Sequence, residues 1–478
     1  MCGLVLLAGD KSRELICDSI RRLRHRGPDG LNIIKGDSFA LGFQRLAING
    51  DEDGGRQPFE LQGWSAVVNG EIYNYCDLIT QHQLPESKCD TSVVLPLFLQ
   101  LKENVIDELD GFFAAVLVNP ERNEAICLRD FMGKKPLFVG ALEGTVFITS
   151  ELKALSEADW FEALPKGISR VDLCSGSFEL LKEHRQVSCK YLLNEALIES
   201  VRKRLPDANQ PLGLFLSGGL DSSLIASIAS DFREDIHYFI LGNKNAPDAV
   251  AAQTVADYLG LKTVSYVPLP HEDEIPELIS AVVYATESFN PSVISNGLST
   301  FLLARAASNA GIKVVLTGEG ADELFGGYHQ FAENEPWQVT RSRLINDMEH
   351  TELRRLDLSC MANAIEPRCP FLDSNVKAIS DQLGYEQLYS EEANKVILRE
   401  SFSDYLPDEI LVRRKTSCDV GSGIRGMVVR YLRRNGLSER EELLKVWNTH
   451  FNFEPADSYF HSYPVFDAAI DVRGEAHR

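Results

Sequence analysis

GLFLSGGLDSSLIASIAS, residues 213–230, sets an apolar run against a turn of glycine and serine that opens directly into a second apolar run. GLFLS has the length and composition of a strand, and the residues from Asp221 onward those of a helix. Between them Ser217, Gly218, Gly219, Ser222 and Ser223 would point backbone N–H groups and hydroxyls at one spot beside a helix N-terminus, where peptide dipoles favour an anion. The stretch predicts a phosphate cradle, with Leu216 closing the strand before it. It lacks the GK[ST] ending of a loop that transfers a γ-phosphate. Asp221 lies inside the cradle and would repel phosphate unless it held a cation, which points to Mg2+.

Strands alternate with helices on either side. HYFILG (237–242, with Leu241 near its end) precedes AAQTVADYLG, and KVVLTG (313–318) follows, a pattern that predicts a parallel sheet with crossover helices. The last of these strands leads into TGEGADELFGGY (317–328). Thr317 and Gly318 stand at the strand end, Glu319 lies between glycines where it could act on a substrate, and Asp322 could complete the Mg2+ site opposite Asp221. Downstream, EPRCPFLD (366–373) and RRKTS (413–417) add charge without helical amphipathicity. Lys415 is the candidate there for stabilising phosphate charge. A helix is expected over about 191–204, mostly helical chain continues to about 435, and the aromatic stretch 451–466 is expected to pack.

The first 180 or so residues read differently. LVLLAG, FALGFQRLAI, WSAVVNG, FFAAVLVN, AICLRD, PLFVGA and TVFITS are short apolar runs broken by Gly, Asn and Asp, the mark of antiparallel strands. Helices are expected over 12–24 and 91–102, and a polar stretch at 183–190 marks a domain junction. Cys2 is followed by Gly3, so removal of Met1 would leave a thiol and a free α-amine on one residue, a nucleophile with its own base. Polar clusters close several of the runs: RHRGPDG (24–30), QRLAI (44–48), NGEIYN (69–74) and CDT (89–91). The Asn69 amide and the Gly70 N–H suit an oxyanion hole. Arg45 could take an α-carboxylate in a bidentate pair, and Glu71 and Asp90 an α-ammonium. Taken singly, each also reads as a turn or a surface ion pair, and Asn69-Gly70 as a hairpin turn.

With 478 residues, two domains are expected. A hydrophobic content of 44% with 25% charged residues is that of a globular protein in water, and no apolar run approaches a membrane span. The formal charge of −22 disfavours nucleic-acid binding. The start has no basic n-region before its apolar run, which argues against a secretory signal and for the cytoplasm. Ten cysteines, with no CxxC pair and no zinc-site spacing, give neither a disulfide scaffold nor a structural metal.

Together these motifs resemble the glutamine-dependent asparagine synthetases, from residue 2 to about 425. The resemblance implies an α+β four-layer αββα N-terminal-nucleophile glutaminase domain over 1–188. An α/β parallel-sheet, nucleotide-binding synthetase domain would follow over 189–478. It implies that Cys2 attacks glutamine, with Asn69 and Gly70 as oxyanion hole and Arg45, Ile48, Asn69, Glu71 and Asp90 binding glutamine. Leu216, Ser217 to Gly219, Asp221 to Ser223, Leu241, Thr317 and Gly318 would bind ATP and pyrophosphate. Asp221 and Asp322 would hold Mg2+, Glu319 would be the base toward ammonia, and Lys415 would be catalytic. Ammonia would travel through an internal tunnel to an acyl-adenylate, protected from protonation and the adenylate from water. The implied substrates are glutamine, ATP and aspartate or another carboxylate, with no nucleic-acid or membrane partner; a homodimer is compatible.

Three positions depart from the family pattern, and the third bears on the acceptor. Ser92 stands where the family has Glu, and Lys135, in RDFMGKKPL, where it has Arg. ESFNPSVISNG (287–297) places Ser295 where aspartate-specific members carry an arginine. Amidation of a different carboxylate in specialised metabolism is therefore the alternative to asparagine synthesis. A non-catalytic regulatory descendant is disfavoured by Cys2, Asn69, Asp221, Asp322 and Lys415. Closure of a β-lactam ring is disfavoured by Cys2 and by Glu319 in place of the Tyr of ring-closing synthetases.

Overall fold

The computed structural model describes residues 2–50, 54–155, 157–328, 331, 336–390 and 392–453. They fall into two compact units, one of residues up to 185 with 448–453, the other of 186–447.

The first unit holds twelve strands: β1 Gly3–Ala8, β2 Gly30–Lys35, β3 Phe39–Arg45, β4 Phe59–Leu61, β5 Trp64–Ile72, β6 Gly111–Asn119, β7 Glu124–Arg129, β8 Phe138–Leu142, β9 Thr145–Thr149, β10 Trp160–Ala163, β11 Gly167–Asp172 and β12 Phe178–Lys182. They form two six-stranded sheets, ordered β10-β8-β9-β1-β3-β2 and β12-β11-β7-β6-β5-β4, and their pairs are antiparallel. The runs are apolar on both strand faces because both faces are covered. Leu4 and Leu6 of β1 meet Val67 and Val116 between the sheets, whereas Val5 and Leu7 turn outward onto Ile16 and Ile20 of the helix Ser12–Arg21. Ala66 and Val68 of β5 likewise face Leu95 and Phe98 of the helix Val94–Leu101. The result is the αββα order of layers.

The second unit is built on five parallel strands, β13 Leu212–Phe215, β14 His237–Leu241, β15 Thr263–Val267, β16 Val314–Leu316 and β17 Glu366–Arg368, ordered β15-β14-β13-β16-β17. The chain winds from β13 to β15 on one side, then crosses over to lay β16 on the other. The strand order therefore reverses between β13 and β16, and in open α/β sheets ligands bind at the carboxyl ends of strands flanking such a reversal. LSGGLDSS leaves the end of β13 and TGEGAD the end of β16, so topology alone brings both motifs to one crevice.

Several local expectations needed adjustment. The helix expected over 91–102 begins as a 3-10 turn, Asp90–Val93, before its α-helical part. NGEIYN does not close a strand, because β5 runs on through Ile72. The helices Tyr75–His82 and Glu439–Trp447 and the strands β2, β15 and β17 lay outside the sequence expectations. Of the aromatic stretch 451–466, Phe451 is buried and Phe453 packs edge-on against Phe161 at 5.1 Å; the remainder lies outside the described residues. Among the described residues no helix is long and apolar enough to cross a membrane.

Candidate active sites

In the first unit Cys2 immediately precedes β1 and is 9% exposed. Its nitrogen donates to Asn69 Oδ1 at 2.8 Å. Because an amide offers its two ends for different partners, the other end of Asn69 remains in play: Nδ2 is buried with no hydrogen-bond partner among the described residues. A buried donor left unmade costs about 1–3 kcal/mol unless something arrives to accept from it. Gly70 supplies the second donor through strand geometry. The N–H groups of Val68 and Ile72 donate to Gln57 Oε1 (2.6 Å) and Asp90 Oδ2 (2.9 Å) at the side of β5 away from β6. Gly70 is two residues from each, so its N–H points to that same side. A Cβ at position 70 would lie 2.4 Å from the Phe112 carbonyl oxygen, which leaves room for glycine alone.

The residues assigned to the glutamine clamp line up along β5 and the loop after β3. Asn49 Nδ2 donates to Glu71 Oε1 at 2.6 Å, and Arg45 Nη2 donates to the carbonyls of Asn49 (3.3 Å) and Gly50 (3.4 Å). Asp90 reaches the same strand through its bond to Ile72 N–H. Ile48 is half-buried on the loop. Asp29 pins that loop by accepting from Ala47 N–H at 2.7 Å.

RHRGPDG carries Arg26, whose task, like that of Glu151, is not legible in the sequence. Arg26 Nε donates to the Cys2 carbonyl at 2.8 Å and its Nη1 pairs with Glu151 Oε1. Glu151 is fully buried and also pairs with Lys153 (2.5 Å) and His25 (2.8 Å). Burial alone would raise its pKa, but Lys153, His25 and Arg26 outweigh that and hold the carboxyl well below the usual range. The ionised Glu151 thus fixes Arg26, and Arg26 fixes the backbone of the nucleophile.

In the second unit the loop after β13 forms a net of its own hydroxyls: Ser217 N–H donates to Ser222 Oγ (3.2 Å), and Gly219 N–H to Ser217 Oγ (3.3 Å). Gly218 has φ +68°, and a Cβ there would strike Ala252 N at 2.3 Å, so the turn depends on glycine. Ser223 Oγ, in the first turn of the helix Leu220–Ser230, is buried without a partner among the described residues, as a hydroxyl awaiting a phosphate oxygen would be. Leu216 and Leu241 are buried at the ends of β13 and β14, and Thr317 is tied to β17 by donating its N–H to Arg368 O at 3.0 Å.

Asp221 and Asp322 come together across the crevice. Lys395, which sequence reading missed, places its ammonium 2.7 and 2.6 Å from the two oxygens of Asp221 and 2.6 Å from Asp322 Oδ1. Lys395 is 2% exposed and has φ +54°, a left-handed backbone that costs a non-glycine residue about 1–3 kcal/mol and collects at functional sites. Lys415 pairs with Asp322 Oδ2. Burial opposes the ionised form of Asp322, but the two lysines overcome it and lower its pKa far below the carboxylate range. Glu319 pairs with Arg355 Nη2 at 2.5 Å. Asp248, opening the helix Pro247–Leu259, accepts from Arg413 at 2.6 Å through Oδ1, whereas Oδ2 has no partner among the described residues; burial pushes its pKa up to about 6. Ser295 lies in the helix Pro291–Asn309 and donates to Asp419 Oδ2 at 2.6 Å.

Comparison with known proteins adds to this geometry. A family model described as glutamine amidotransferase domain matches residues 1–173, and one described as asparagine synthase matches 192–348 and 330–454. The chain is 34% identical over 478 residues to the nodule glutamine-hydrolysing asparagine synthetase of Pisum sativum, covering 88% of this chain and 78% of that one. It is 33% identical to the glutamine-hydrolysing asparagine synthetase of Asparagus officinalis, with the same shares covered. Among solved structures, glutamine phosphoribosylpyrophosphate amidotransferase from B. subtilis overlaps 55% of this chain and 90% of its own, at 14% identity and a TM-score of 0.36.

Proposed function

The chain belongs to the glutamine-hydrolysing asparagine synthetases, and from that premise we propose how its own residues divide the work. It is an amidotransferase and ligase: it takes nitrogen from glutamine, activates a carboxylate with ATP and amidates it, with aspartate becoming asparagine. Residues 1–188 act as the glutaminase domain and 189–478 as the synthetase domain, in the cytoplasm; none of the ten cysteines pairs in a disulfide, which suits a reducing compartment.

Once Met1 is removed, the Cys2 nitrogen becomes an α-amine with an ordinary pKa of about 8, already held by Asn69 Oδ1, and takes the thiol proton as the sulfur attacks the glutamine carboxamide. The oxyanion that develops accepts from Asn69 Nδ2 and Gly70 N–H. Arg45 binds the glutamine α-carboxylate, Glu71 and Asp90 its α-ammonium, and Ile48 flanks them. The amine returns the proton to the departing ammonia, and water then releases glutamate from the thioester.

In the synthetase domain Ser217, Gly218, Gly219, Ser222 and Ser223 grip the pyrophosphate part of ATP, while Leu216, Leu241, Thr317 and Gly318 line its remainder. The acceptor carboxylate attacks the α-phosphorus and pyrophosphate leaves, with Lys415 balancing the negative charge that builds there. Glu319 takes the proton from ammonia as it adds to the acyl-adenylate, and AMP departs. Asp221 and Asp322 fit Mg2+, since both already converge on the single ammonium of Lys395. Mg2+ when bound would neutralise phosphate charge. Among the described residues no three acidic, His or Cys side chains form a metal cage, and two carboxylates plus phosphate oxygens and water are the usual Mg2+ set.

The observation that supports this reading most is the divided Asn69 amide, with one end on the Cys2 nitrogen and the other buried with no partner among the described residues. The test is pyrophosphate release from ATP with glutamine present, screened over carboxylic acids. L-Aspartate should support it at a submillimolar to millimolar Michaelis constant. One feature, serine at 295, favours a second reading in which another carboxylate is the acceptor; release with that acid and none with aspartate would decide for it.

A further inference from the structure

Two lysines reach the crevice carboxylates from separate stretches of chain. Lys395 pairs with both Asp221 and Asp322, and Lys415 with Asp322. Neither lysine sits inside a long element. Lys395 precedes the short helix Val396–Ser401 with a left-handed φ of +54°, and Lys415 lies on irregular chain between the helices Asp408–Leu411 and Cys418–Gly421. An ammonium on a flexible four-carbon stem is aimed only as well as the backbone beneath it is held.

One side chain holds both stretches. Arg399 Nε donates to the carbonyl of Asn394, the residue before Lys395, at 2.6 Å, and Nη2 donates to Asn394 Oδ1 at 2.6 Å. The same guanidinium spans to the second stretch, where Nη1 donates to the Leu411 carbonyl and Nη2 to the Arg413 carbonyl at 3.1 Å. Asn394 Nδ2 in turn donates to the Gly327 carbonyl at 2.8 Å, and Gly327 N–H to the Asp322 carbonyl at 2.8 Å, so the Lys395 turn is also tied to the loop of its partner. The Arg413 side chain pairs with Asp248 at 2.6 Å, in the first turn of the helix that backs Gly218 through Ala251 and Ala252.

The chemistry of the clamp is specific to a guanidinium, whose donors point in fixed directions within one plane and can satisfy acceptors on two segments at once. All four of these bonds end on neutral oxygens, and among the described residues Arg399 pairs with no carboxylate. Burial opposes its charge and the field of Asp221 favours it, which places a third positive charge on the Asp221 side of the crevice. The left-handed turn at Lys395 needs such a clamp, because a strained backbone persists only where its surroundings over-determine it.

We propose that Arg399 is a positioning residue of the adenylating step: by fastening the Asn394–Lys395 turn to segment 411–415 it sets both ammonium groups where pyrophosphate leaves. This rests on the amidotransferase reading above and deepens its synthetase site. Without the clamp the Lys395 turn relaxes and the Lys415 segment moves away from it, and a misplacement of about 1 Å is enough to cost about a hundredfold in rate.

The experiment follows pyrophosphate release by the full chain with ATP, Mg2+, ammonium salts and L-aspartate or whichever acid supports release, with glutamine hydrolysis as the control for the other domain. Arg399→Ala should lower kcat about a hundredfold, with the Michaelis constant for ATP changed less than about fivefold. Lys395→Ala and Lys415→Ala are then measured alone and each combined with Arg399→Ala. Since Arg399 acts through the lysines, the loss in each double variant should fall at least about tenfold short of the product of the single losses. Losses that simply multiply would assign Arg399 to structure and overturn the proposal, as would a kcat of Arg399→Ala within about threefold of wild type. If the alanine variant has a lowered unfolding midpoint, Arg399→Lys carries the test. It keeps the charge but has no fork to span both segments, so its kcat should fall at least about tenfold at a wild-type midpoint, and wild-type turnover would overturn the proposal. A wild-type protein that releases no pyrophosphate with any acid would instead refute the amidotransferase reading, and the role of Arg399 with it.

Discussion

Replacing Asn69 by alanine removes two interactions that the structure separates on one side chain. Loss of Nδ2 deletes an oxyanion donor, an effect that typically costs about 2.7–4 kcal/mol of transition-state stabilisation, or 10²–10³ in kcat. The donor has no partner among the described residues, so no hydrogen bond seen there offsets its removal. Loss of Oδ1 frees the Cys2 nitrogen from its 2.8 Å acceptor and adds about 0.5–1.5 kcal/mol, another factor of two to ten. Glutaminase kcat should therefore fall by about 10³, with the Michaelis constant for glutamine within a few-fold, because Arg45, Glu71 and Asp90 remain. Asn69→Asp separates the two contributions. It keeps an acceptor for the Cys2 nitrogen but presents an oxygen where the oxyanion needs a donor, so it should be at least as inactive as the alanine variant. The assay is glutamate formation from glutamine, with pyrophosphate release from ammonium salts plus aspartate as a control for the synthetase domain. Activity of Asn69→Ala within tenfold of wild type, or near-full activity of Asn69→Asp, would refute the oxyanion assignment.

Cys2→Ala should abolish use of glutamine and retain synthesis from ammonium salts; retained glutamine-dependent synthesis would remove Cys2 from the reaction. Asp221→Asn should suppress positional exchange of labelled oxygen within ATP while glutamine hydrolysis persists, and unchanged exchange would exclude Asp221 from the ATP site. Asp248 gives a pH signature. Its carboxyl is raised from an ordinary value near 4 to about 6 by burial, so between those pH values the folded state keeps a proton that the unfolded state has released. Stability should fall as pH rises through that window, by about 1.4 kcal/mol per pH unit and about 3 kcal/mol in all. In Asp248→Asn the urea midpoint of the synthetase unit should vary correspondingly less between pH 4 and 6, and an unaltered slope would contradict the assignment.

What the sequence revealed was local. LSGGLDSS carries strand end, turn and helix start within eight residues, so its chemistry and its conformation are both readable there, and Cys2 is marked by position alone. Asn69-Gly70 was legible as chemistry but not as structure. The dipeptide that elsewhere makes a hairpin turn is carried through the middle of β5, because the open side of that strand is closed by the Gln57 and Asp90 side chains. Lys395 could not be read, since its meaning lies in two carboxylates far away in sequence that only the strand reversal between β13 and β16 brings to it. Glu151 was hidden for the same reason: its partners Arg26 and His25 belong to a different loop. β17 has three residues with Pro367 at its centre, a pattern tolerated only at a sheet edge and indistinguishable from loop before its neighbour is known. Ser295 was legible as a departure, but its hydrogen bond to Asp419 was not.

The central claim is that nitrogen from glutamine ends on a carboxylate activated as its adenylate. Incubation of the protein with amide-15N-glutamine, L-aspartate, ATP and Mg2+ tests it directly, with products followed by NMR. The account predicts 15N in the amide of asparagine, with AMP and pyrophosphate formed in equal amounts to it. ADP and orthophosphate as the matched products, or glutamate accumulating with no labelled amide on any acceptor, would contradict it.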